Sequence, residues 1–239
     1  MRYNGKDVLA VHYALPSIHK EFPPAHPARN ITTIETSAGD MVASVDLTQD
    51  EYTLRLNLAA ATYDEAMQAR EALAAWATTS QPAELQPTHM PGRAYMAILK
   101  QIRWPETRYG TVDVVFLLPR PVQYSMIEKT ASGTSPLEVT TGGTASVQPD
   151  IIFTAFSAAS GVTISVDGKP FYTIKTSLQE GNEVTIHPET GEVLVNGFDK
   201  GADIDYTQSN PDMELTPGKH TLTASKAGRL TVRWHDQWL

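Results

Sequence analysis

The chain has 239 residues, which is enough for one large domain or two small domains that each bury a core. It contains no cysteine, which excludes disulfides, thiol catalysis and cysteine metal sites, and its net charge of −8 argues against a nucleic-acid-binding surface as its main function. No apolar run approaches the length of a membrane span, and the N-terminus lacks the apolar core of a signal peptide, so we expect synthesis in a cytoplasm and no membrane insertion.

The chain before residue 60 predicts short strands separated by prolines and turns. Val8 to Val11 predicts a short strand, and Ile31–Ile34 and Met41–Val45 predict two strands that flank a turn at 37–40. Glu51–Leu58 alternates apolar and polar residues, which predicts a half-buried strand leading directly into the next element.

Residues 62–78 predict the one clear helix. Thr62 is a favourable N-cap, and Glu65 stands three residues later, where its carboxylate reaches back to the N–H of the cap. The apolar stripe at helical spacing consists of Ala66, Ala69, Leu73, Trp76 and Ala77. This small-residue face predicts a helix that lies close against a sheet, with Leu73 and Trp76 as its core anchors.

After the helix, Ala94–Trp104 and Thr111–Leu118 predict a long β-hairpin joined by a turn at 105–110. Met96, Ile98 and Ile102 are expected on one face of its first strand. Strands of this length exceed the needs of a small sandwich, so we expect part of the hairpin to project and to pack on a neighbouring subunit.

A change of composition then marks a domain boundary. In residues 130–149, 13 of 20 residues are Gly, Ser, Thr or Pro, which predicts domains at 1–130 and 131–239. Residues 150–239 show short strands at close intervals with Gly-containing turns, the pattern of a β-sandwich or jelly roll. The fold class is therefore mainly β, with two β-sandwich-type domains, the first carrying one α-helix and a long hairpin.

Residues that suggest chemistry have simpler explanations. His12, His19 and His26 recur every seven residues in a proline-broken segment, which gives them no common face for a metal. The acidic group near the C-terminus does not have the spacing of a calcium loop; it comprises Asp199, Asp203, Asp205 and Asp212. No Gly-x-Ser-x-Gly motif occurs. We predict no catalytic residue, no metal site and no cofactor.

Two tryptophans near the C-terminus leave a binding function open. The rings of Trp234 and Trp238 suit stacking on sugars, although such residues more often close a core or fill an interface. We assign Trp234 to the core.

The order of these elements resembles the distal tail protein family of siphoviruses, the bacteriophages with long non-contractile tails. In the N-terminal half the resemblance lies in Tyr52–Leu58, in Thr62–Thr78 with its Leu73-Ala-Ala-Trp76, and in Arg93–Leu99. In the C-terminal half it lies in Gly143-Thr144, Pro149-Asp150-Ile151, Asp167-Gly168, Gly181–Ile186, Thr190–Val193, Asn196-Gly197, Leu215–His220, Leu230–Trp234 and Trp238-Leu239.

The resemblance implies a structural protein of the virion tail tip. Its N-terminal domains are expected to form a homohexameric ring, with galectin-like C-terminal domains around the outside and DNA passing through without specific binding. The implied partners are the tail tube protein, a tail-tip protein and a receptor-binding protein. On the long hairpin we predict an interface that comprises Tyr95, Ala97, Leu99, Arg103 and Tyr109.

Two function classes therefore remain. The first is a hub without chemistry, whose lumen walls would repel DNA through acids such as Asp46, Asp50, Glu51, Glu106 and Asp113. The negative charge serves equally well as an external solubility feature. The second class is a carbohydrate-binding sandwich that attaches to a host surface. A hub forms rings without ligand, whereas a lectin keeps glycan affinity as a monomer.

Overall fold

The computed structural model of the protein describes residues 1–24, 29–36 and 39–239. His26 and the centre of the turn predicted at 37–40 lie outside the described residues. The chain is mainly antiparallel β-structure and forms two compact units, residues 1–124 with residue 239, and residues 125–238. No helix in the described ranges combines the length and the apolar content that crossing a bilayer requires.

The N-terminal unit consists of strands around one helix. Its elements are β1 (Arg2–Tyr3), β2 (Lys6–Asp7), β3 (Ser17–Phe22), β4 (Arg29–Thr36), β5 (Gly39–Leu47), β6 (Asp50–Ala59), α1 (Tyr63–Ala77), β7 (Ala83–Gln86), β8 (Arg93–Arg103) and β9 (Tyr109–Leu118), followed by β10 (Gln123–Ser125) at its end. The main sheet has the order β2-β1-β7-β8-β9-β6-β3. Where a short strand was predicted from Val8, the chain forms a 3₁₀ turn at Val8–Ala10, because the Asp7 side chain accepts a hydrogen bond from the N–H of Leu9.

The core of this unit lies between the sheet and α1. Alternate residues of β6 are fully or almost fully buried, as the period-two pattern predicts, and so are the five helix positions of the predicted stripe. The shared core includes Tyr3, Tyr52, Leu54, Leu56, Leu73, Trp76, Leu85, Val114 and Phe116. The alanine-rich stripe allows the helix to approach the sheet closely, so a few large side chains fill the space between them.

The long hairpin of β8 and β9 does not project, contrary to the prediction. β9 pairs with β6 over its whole length, from Leu118 opposite Asp50 to Tyr109 opposite Ala59. β8 pairs with β9 on one side and with β7 on the other. The hairpin is long because it forms the centre of the main sheet, where neighbouring strands on both sides satisfy its backbone groups.

The predicted face of β8 is also wrong. Met96 is 43% exposed, whereas Leu99 and Ile102 both pack against the core. A register irregularity between Leu99 and Gln101 places core-facing residues three apart instead of two. A bulge of this kind reverses the alternation along the rest of a strand, and the sequence pattern alone does not reveal its position.

The C-terminal unit is a β-sandwich. Its strands are β11 (Lys129–Thr134), β12 (Leu137–Thr141), β13 (Asp150–Ala155), β14 (Val162–Val166), β15 (Lys169–Ile174), β16 (Glu183–His187), β17 (Glu192–Val195), β18 (Phe198–Asp199), β19 (Gly218–Ala224), β20 (Gly228–Trp234) and β21 (Gln237–Trp238). One sheet has the order β11-β20-β13-β16-β17-β18 and the other has the order β12-β19-β14-β15. Side chains from both sheets form a single core, including Phe153 and Val232 from one and Ile164 and Leu222 from the other.

The division between the units falls at 124/125, earlier than the predicted boundary at 130/131. The reason is that Lys129–Thr134 pairs along its length with β20, and the N–H of Ser125 already donates to the carbonyl of Asp236. The Gly-, Ser-, Thr- and Pro-rich composition that suggested the boundary therefore belongs partly to two strands of the sandwich.

Two predicted tight turns have the backbone that their sequences require. Asp167 and Gly168 have φ of 51° and 77°, and Asn196 and Gly197 have φ of 50° and 79°. Two consecutive residues with positive φ form the type of hairpin turn that Asp-Gly and Asn-Gly favour. These turns fix the registers of β14–β15 and β17–β18.

Candidate assembly site

The start of α1 is held by a capping arrangement. The Thr62 hydroxyl accepts from the N–H of Glu65 at 3.1 Å, and Glu65 Oε2 accepts from the N–H of Ala61 at 2.7 Å. The carboxylate thus bonds to the residue before the cap. The hydrogen bond from Ala61 is the main reason that the pKa of Glu65 lies below its usual value. This cap fixes the direction of the first helical turn.

The inner face of the helix belongs to the core. Leu73 is fully buried and Trp76 is 6% exposed. The Trp76 indole N–H donates to the carbonyl of Lys6 at 3.1 Å, and its ring lies edge-on to Tyr3 and Phe116, with centroids 5.7 and 6.1 Å away. The two anchors assigned from the sequence therefore hold α1 against the sheet.

The outer side of the same helix borders a groove of about 270 Å³. We call it the helix–turn groove; it is lined by Leu58, Tyr63, Ala66, Met67, Arg70 and residues 104–108 of the β8–β9 turn. Tyr63 is 70% exposed, Met67 is 36% exposed, and Tyr109 beside the turn is 52% exposed. A cluster of large exposed apolar side chains is more typical of an interaction surface than of a solvated one.

Two arginines complete this surface. The Arg70 guanidinium carbon lies 5.2 Å from the centre of the Trp104 ring, and that of Arg108 lies 5.1 Å from the Tyr109 ring. Arg108 also donates to the carbonyl of Ala61 at 2.5 Å. Aromatic residues, methionine and arginine are the types enriched at the centres of protein interfaces, so the groove has the composition of a binding site for protein.

The predicted interface residues of β8 divide into two groups. Tyr95 is 4% exposed and Ala97 is fully buried, so these two are withdrawn from the interface. Both belong to the core that the main sheet shares with α1, and the Tyr3 hydroxyl donates to the carbonyl of Ala97. Leu99 packs partly against the same core. Arg103 and Tyr109, at the end of the hairpin nearest the groove, are exposed.

A different hairpin stands apart from the main sheet. β4 and β5 pair only with each other among the described residues. We call residues 29–47 the hairpin arm. Its Ile31, Ile34 and Val42 are 58%, 51% and 56% exposed. A two-stranded ribbon is marginally stable by itself, so an arm with such exposed apolar residues needs a packing partner. The sequence predicted both strands but contained no signal that they leave the sheet.

A hydrogen-bond cluster around Glu21 fixes the end of β3. Glu21 on β3 accepts hydrogen bonds from the Tyr52 hydroxyl at 2.8 Å and from the Thr88 hydroxyl at 2.6 Å, and its carboxylate lies 2.8 Å from His89 Nδ1. Burial by itself raises the pKa of Glu21, but the hydrogen bonds from Thr88, Tyr52 and His89 outweigh it and hold this pKa below its usual value. Sequence reasoning missed this cluster because its members lie far apart in the chain.

The acids considered for a lumen wall are partly neutralised. Asp113 receives a bidentate pair from Arg55, with nitrogen–oxygen distances of 2.6 and 2.7 Å. Glu51 pairs with Lys100 at 2.5 Å. The side chain of Asp46 lies outside the described residues. In each pair the acid and the base compensate each other, so the pair contributes little attraction or repulsion toward phosphate groups.

Four of the residues considered as metal ligands have local partners. His12 Nδ1 accepts from the N–H of Ala14 at 3.1 Å. Asp199 accepts from the N–H of Gly201, Asp203 accepts from the Thr176 hydroxyl, and Asp205 pairs with Lys175. In the part of the chain that the structure describes, no three His, Asp or Glu side chains are grouped to hold a metal ion.

In the C-terminal unit, Trp234 is 7% exposed and its indole N–H donates to Asp236 at 3.1 Å. Asp236 also pairs with Lys129 at 2.6 Å and accepts from the N–H of Gly142 at 2.8 Å. Burial opposes ionisation of Asp236, but these contacts, led by Lys129, keep its pKa below the usual value. The Trp234 ring therefore closes the sandwich and is not available for stacking on a sugar.

The four-stranded sheet of the sandwich has a polar outer face. The Thr163 and Thr173 hydroxyls lie 3.2 Å apart on neighbouring strands, and Ser165 stands opposite Thr223. The aromatic residues of these four strands are Phe171 and Tyr172, both buried. Aromatic platforms are therefore missing from this sheet, although they are the usual stacking surface for a sugar ring.

Comparison with known proteins agrees with this architecture. Residues 142–238 match the family model described as siphovirus-type tail component, C-terminal domain. The crystal structure of the Dit protein of phage SPP1, described as a paradigm of the hub adsorption apparatus in phages that infect Gram-positive bacteria, superposes with a TM-score of 0.81. The two sequences are 16% identical, and the superposition covers 100% of this chain and 98% of the SPP1 chain. This likeness shows a shared fold.

Two solved structures of phage baseplates resemble the chain less closely. A chain of the phage P2 baseplate in its activated conformation with Ca has a TM-score of 0.45 and 11% identity, covering 90% of this chain and 89% of its own. The corresponding structure with Sr has a TM-score of 0.43 and 10% identity, with the same coverage. None of the curated proteins matches the sequence significantly. Residues 142–238 thus match the family of siphovirus-type tail components, and over its full length the chain has the fold of the SPP1 Dit protein.

Proposed function

We propose that six copies of this chain form a closed ring that is the hub of a phage tail tip. The chain is a structural component of a siphovirus-type tail, and the hexameric state is the step beyond that. The observation that carries it is the hairpin arm, which exposes apolar residues and has no strand partner outside itself among the described residues. A second copy would supply the missing partner.

The surfaces of the N-terminal unit suit a ring more than a two-fold dimer. The hairpin arm and the helix–turn groove are different in shape and composition, so neither is complementary to itself. Contacts between two unlike surfaces on identical subunits are heterologous, and they close into a ring when the rotation between subunits divides a full turn.

The oligomeric state tests this function directly. A closed hexamer weighs about 157 kDa, six times 26.2 kDa. Size-exclusion chromatography with multi-angle light scattering, without and with the tail tube and tip proteins, should reach that mass in at least one condition. A monomer at every concentration, with and without the tail partners, contradicts the ring. Negative-stain images should show a six-fold particle with a central opening.

In this proposal the ring joins the tail tube on one side to the tip and adhesion proteins, including a receptor-binding protein, on the other. The protein is made in the host cytoplasm and resides at the virion tail tip, and its role is structural without catalysis. Support comes from the fold shared with a protein described as an adsorption hub. The burial of Trp234 and the lack of exposed aromatic residues on the four-stranded sheet weigh against the carbohydrate-binding alternative; glycan affinity of the monomer in an array experiment would favour it.

The same ring would let DNA pass without binding it. The support is the net charge of −8, together with the pairing of Arg55 and Lys100 by carboxylates, which leaves fewer free cations for phosphates. Short duplex DNA should therefore show no affinity for the assembled ring at low salt. Micromolar binding that weakens steeply as salt is added contradicts this proposal.

A further inference from the structure

We propose that, within the ring, the hairpin arm of one copy docks into the helix–turn groove of the next copy, using the arm face that carries Ile31 and Val42. This inference rests on the proposed ring, and it names the two surfaces that close it. The occupant of the groove is thus a second copy of this chain.

The register of the arm defines that face. Thr33 stands opposite Val42, so the two residues share a face of the ribbon. The register shifts between Thr32 and Thr33, but the extra residue lies on β5, so the alternation along β4 is kept. Ile31 therefore shares the face of Thr33, whereas Ile34 points to the other one. Ile31 and Val42 are 58% and 56% exposed, so the face presents two branched apolar side chains to a partner.

The groove offers the matching chemistry. Tyr63 and Met67 stand exposed on the outer side of α1, and Trp104 forms the opposite wall with Arg70 over its ring. Methionine adapts its shape to a branched aliphatic partner, and an aromatic wall provides a large apolar area. Both the arm face and the groove are open in the single chain, so the arm does not fill the groove of its own copy with these residues.

Charge favours the same pairing. The sequence from 29 to 47 contains one arginine and three carboxylates, a formal charge of −2. The groove is lined by two arginines, Arg70 and Arg108, and one acid, Glu106. In a chain with an excess of negative charge, a cationic groove and an anionic arm attract each other and disfavour other pairings.

Charge substitutions test the docking face. Ile31→Asp on the arm and Met67→Asp in the groove each place a carboxylate where an apolar contact is proposed. Each variant should need a roughly 30-fold higher protein concentration for ring formation, the size expected for loss of an interface hot spot. Ile34→Asp is the matched control, because it adds the same charge to the other face of the same arm. An equal loss in Ile34→Asp, or unchanged assembly of Ile31→Asp and Met67→Asp, overturns the docking.

Crosslinking identifies which copy the arm contacts. The chain has no cysteine, so Val42→Cys with Met67→Cys introduces the only two thiols. A short bis-maleimide reagent should then yield a ladder of linked chains up to the hexamer on a denaturing gel. The pair Val42→Cys with Met96→Cys, whose second site is exposed on β8 outside the groove, should remain largely unlinked.

The outcomes separate this inference from the ring itself. A ring of six in light scattering without crosslinks at the Val42–Met67 pair overturns the docking and leaves the proposed function intact. Crosslinks only within single chains place the arm on its own copy and overturn the docking as well. Absence of any ring, with and without tail partners, overturns both.

Discussion

Truncation of Trp76 is the most direct test of how the N-terminal unit is held together. Trp76→Ala removes an indole that is 6% exposed and lies between α1 and the main sheet. The variant also loses the edge-on contacts with Tyr3 and Phe116 and the hydrogen bond to the carbonyl of Lys6. We expect the free energy of unfolding of this unit to fall by about 3–5 kcal/mol, the usual cost of such a cavity.

The hydrogen bond adds little to that figure. Lys6 is an exposed residue, so water reaches its carbonyl once the indole is gone. Most of the loss comes from packing, because the neighbouring alanines of α1 are too small to fill the space left by the ring. A domain of this size is stable by about 5–15 kcal/mol, so the variant should retain the fold but lose a large share of its margin.

Denaturant unfolding followed by fluorescence and circular dichroism is the assay. Trp104 remains as a reporter in the N-terminal unit, while Trp234 and Trp238 report on the C-terminal unit. The first transition should move to lower denaturant and the second should stay in place, since the substitution lies in one of two separate cores. Tyr63→Ala, on the exposed side of the same helix, is the control and should change stability by at most about 0.5 kcal/mol.

A first transition in Trp76→Ala that moves no further than in Tyr63→Ala would refute the packing of α1 described above. A shift of both transitions together would instead show that the two units unfold as one cooperative body.

Three further predictions concern single contacts. In Glu21→Gln we expect a loss of stability at neutral pH that shrinks as the pH falls below the usual carboxyl pKa of 4.5. Folding lowers the pKa of Glu21, so the stability that its carboxylate contributes disappears on acidification. A loss of stability that does not depend on pH contradicts this. Thr62→Ala should cost about 1 kcal/mol by removing the cap of α1, with Thr62→Ser as the control that keeps it. Gly143→Ala should prevent correct folding of the C-terminal unit, because Gly143 has a φ of +87° and a Cβ there would lie 1.9 Å from the Gln237 carbonyl oxygen. Gly168→Ala is the milder control, since there is open space around Gly168. A soluble Gly143→Ala variant whose second unfolding transition matches that of the wild type contradicts this prediction.

Local signals account for the parts of the fold that the sequence predicts well. The helix begins after Thr62 and ends before Thr78 because its cap, its acidic first turn and its apolar stripe all lie within one short segment. The turns at Asp167-Gly168 and Asn196-Gly197 are equally local, because they depend on which residues tolerate positive φ. The mainly β class and the sandwich follow from the same reasoning.

Positions that depend on distant neighbours were not predictable in the same way. Tyr95 and Ala97 read as surface positions of a long hairpin, yet they are buried because β8 lies in the middle of the sheet and contributes to its core. The bulge after Leu99 and the separation of the hairpin arm have no sequence signature of their own. The helix–turn groove likewise joins residues from two elements that are far apart in the chain.

The sequence by itself therefore determined the helix, the tight turns, the β-sandwich class and the resemblance to the distal tail family, since each depends on neighbouring residues or on their order. Only the tertiary structure decided which strands are central, which hairpin stands apart, and which side chains remain exposed for assembly. Burial is a property of the whole packed unit, and strands with the same alternating pattern lie in a core or on an arm according to what pairs beside them.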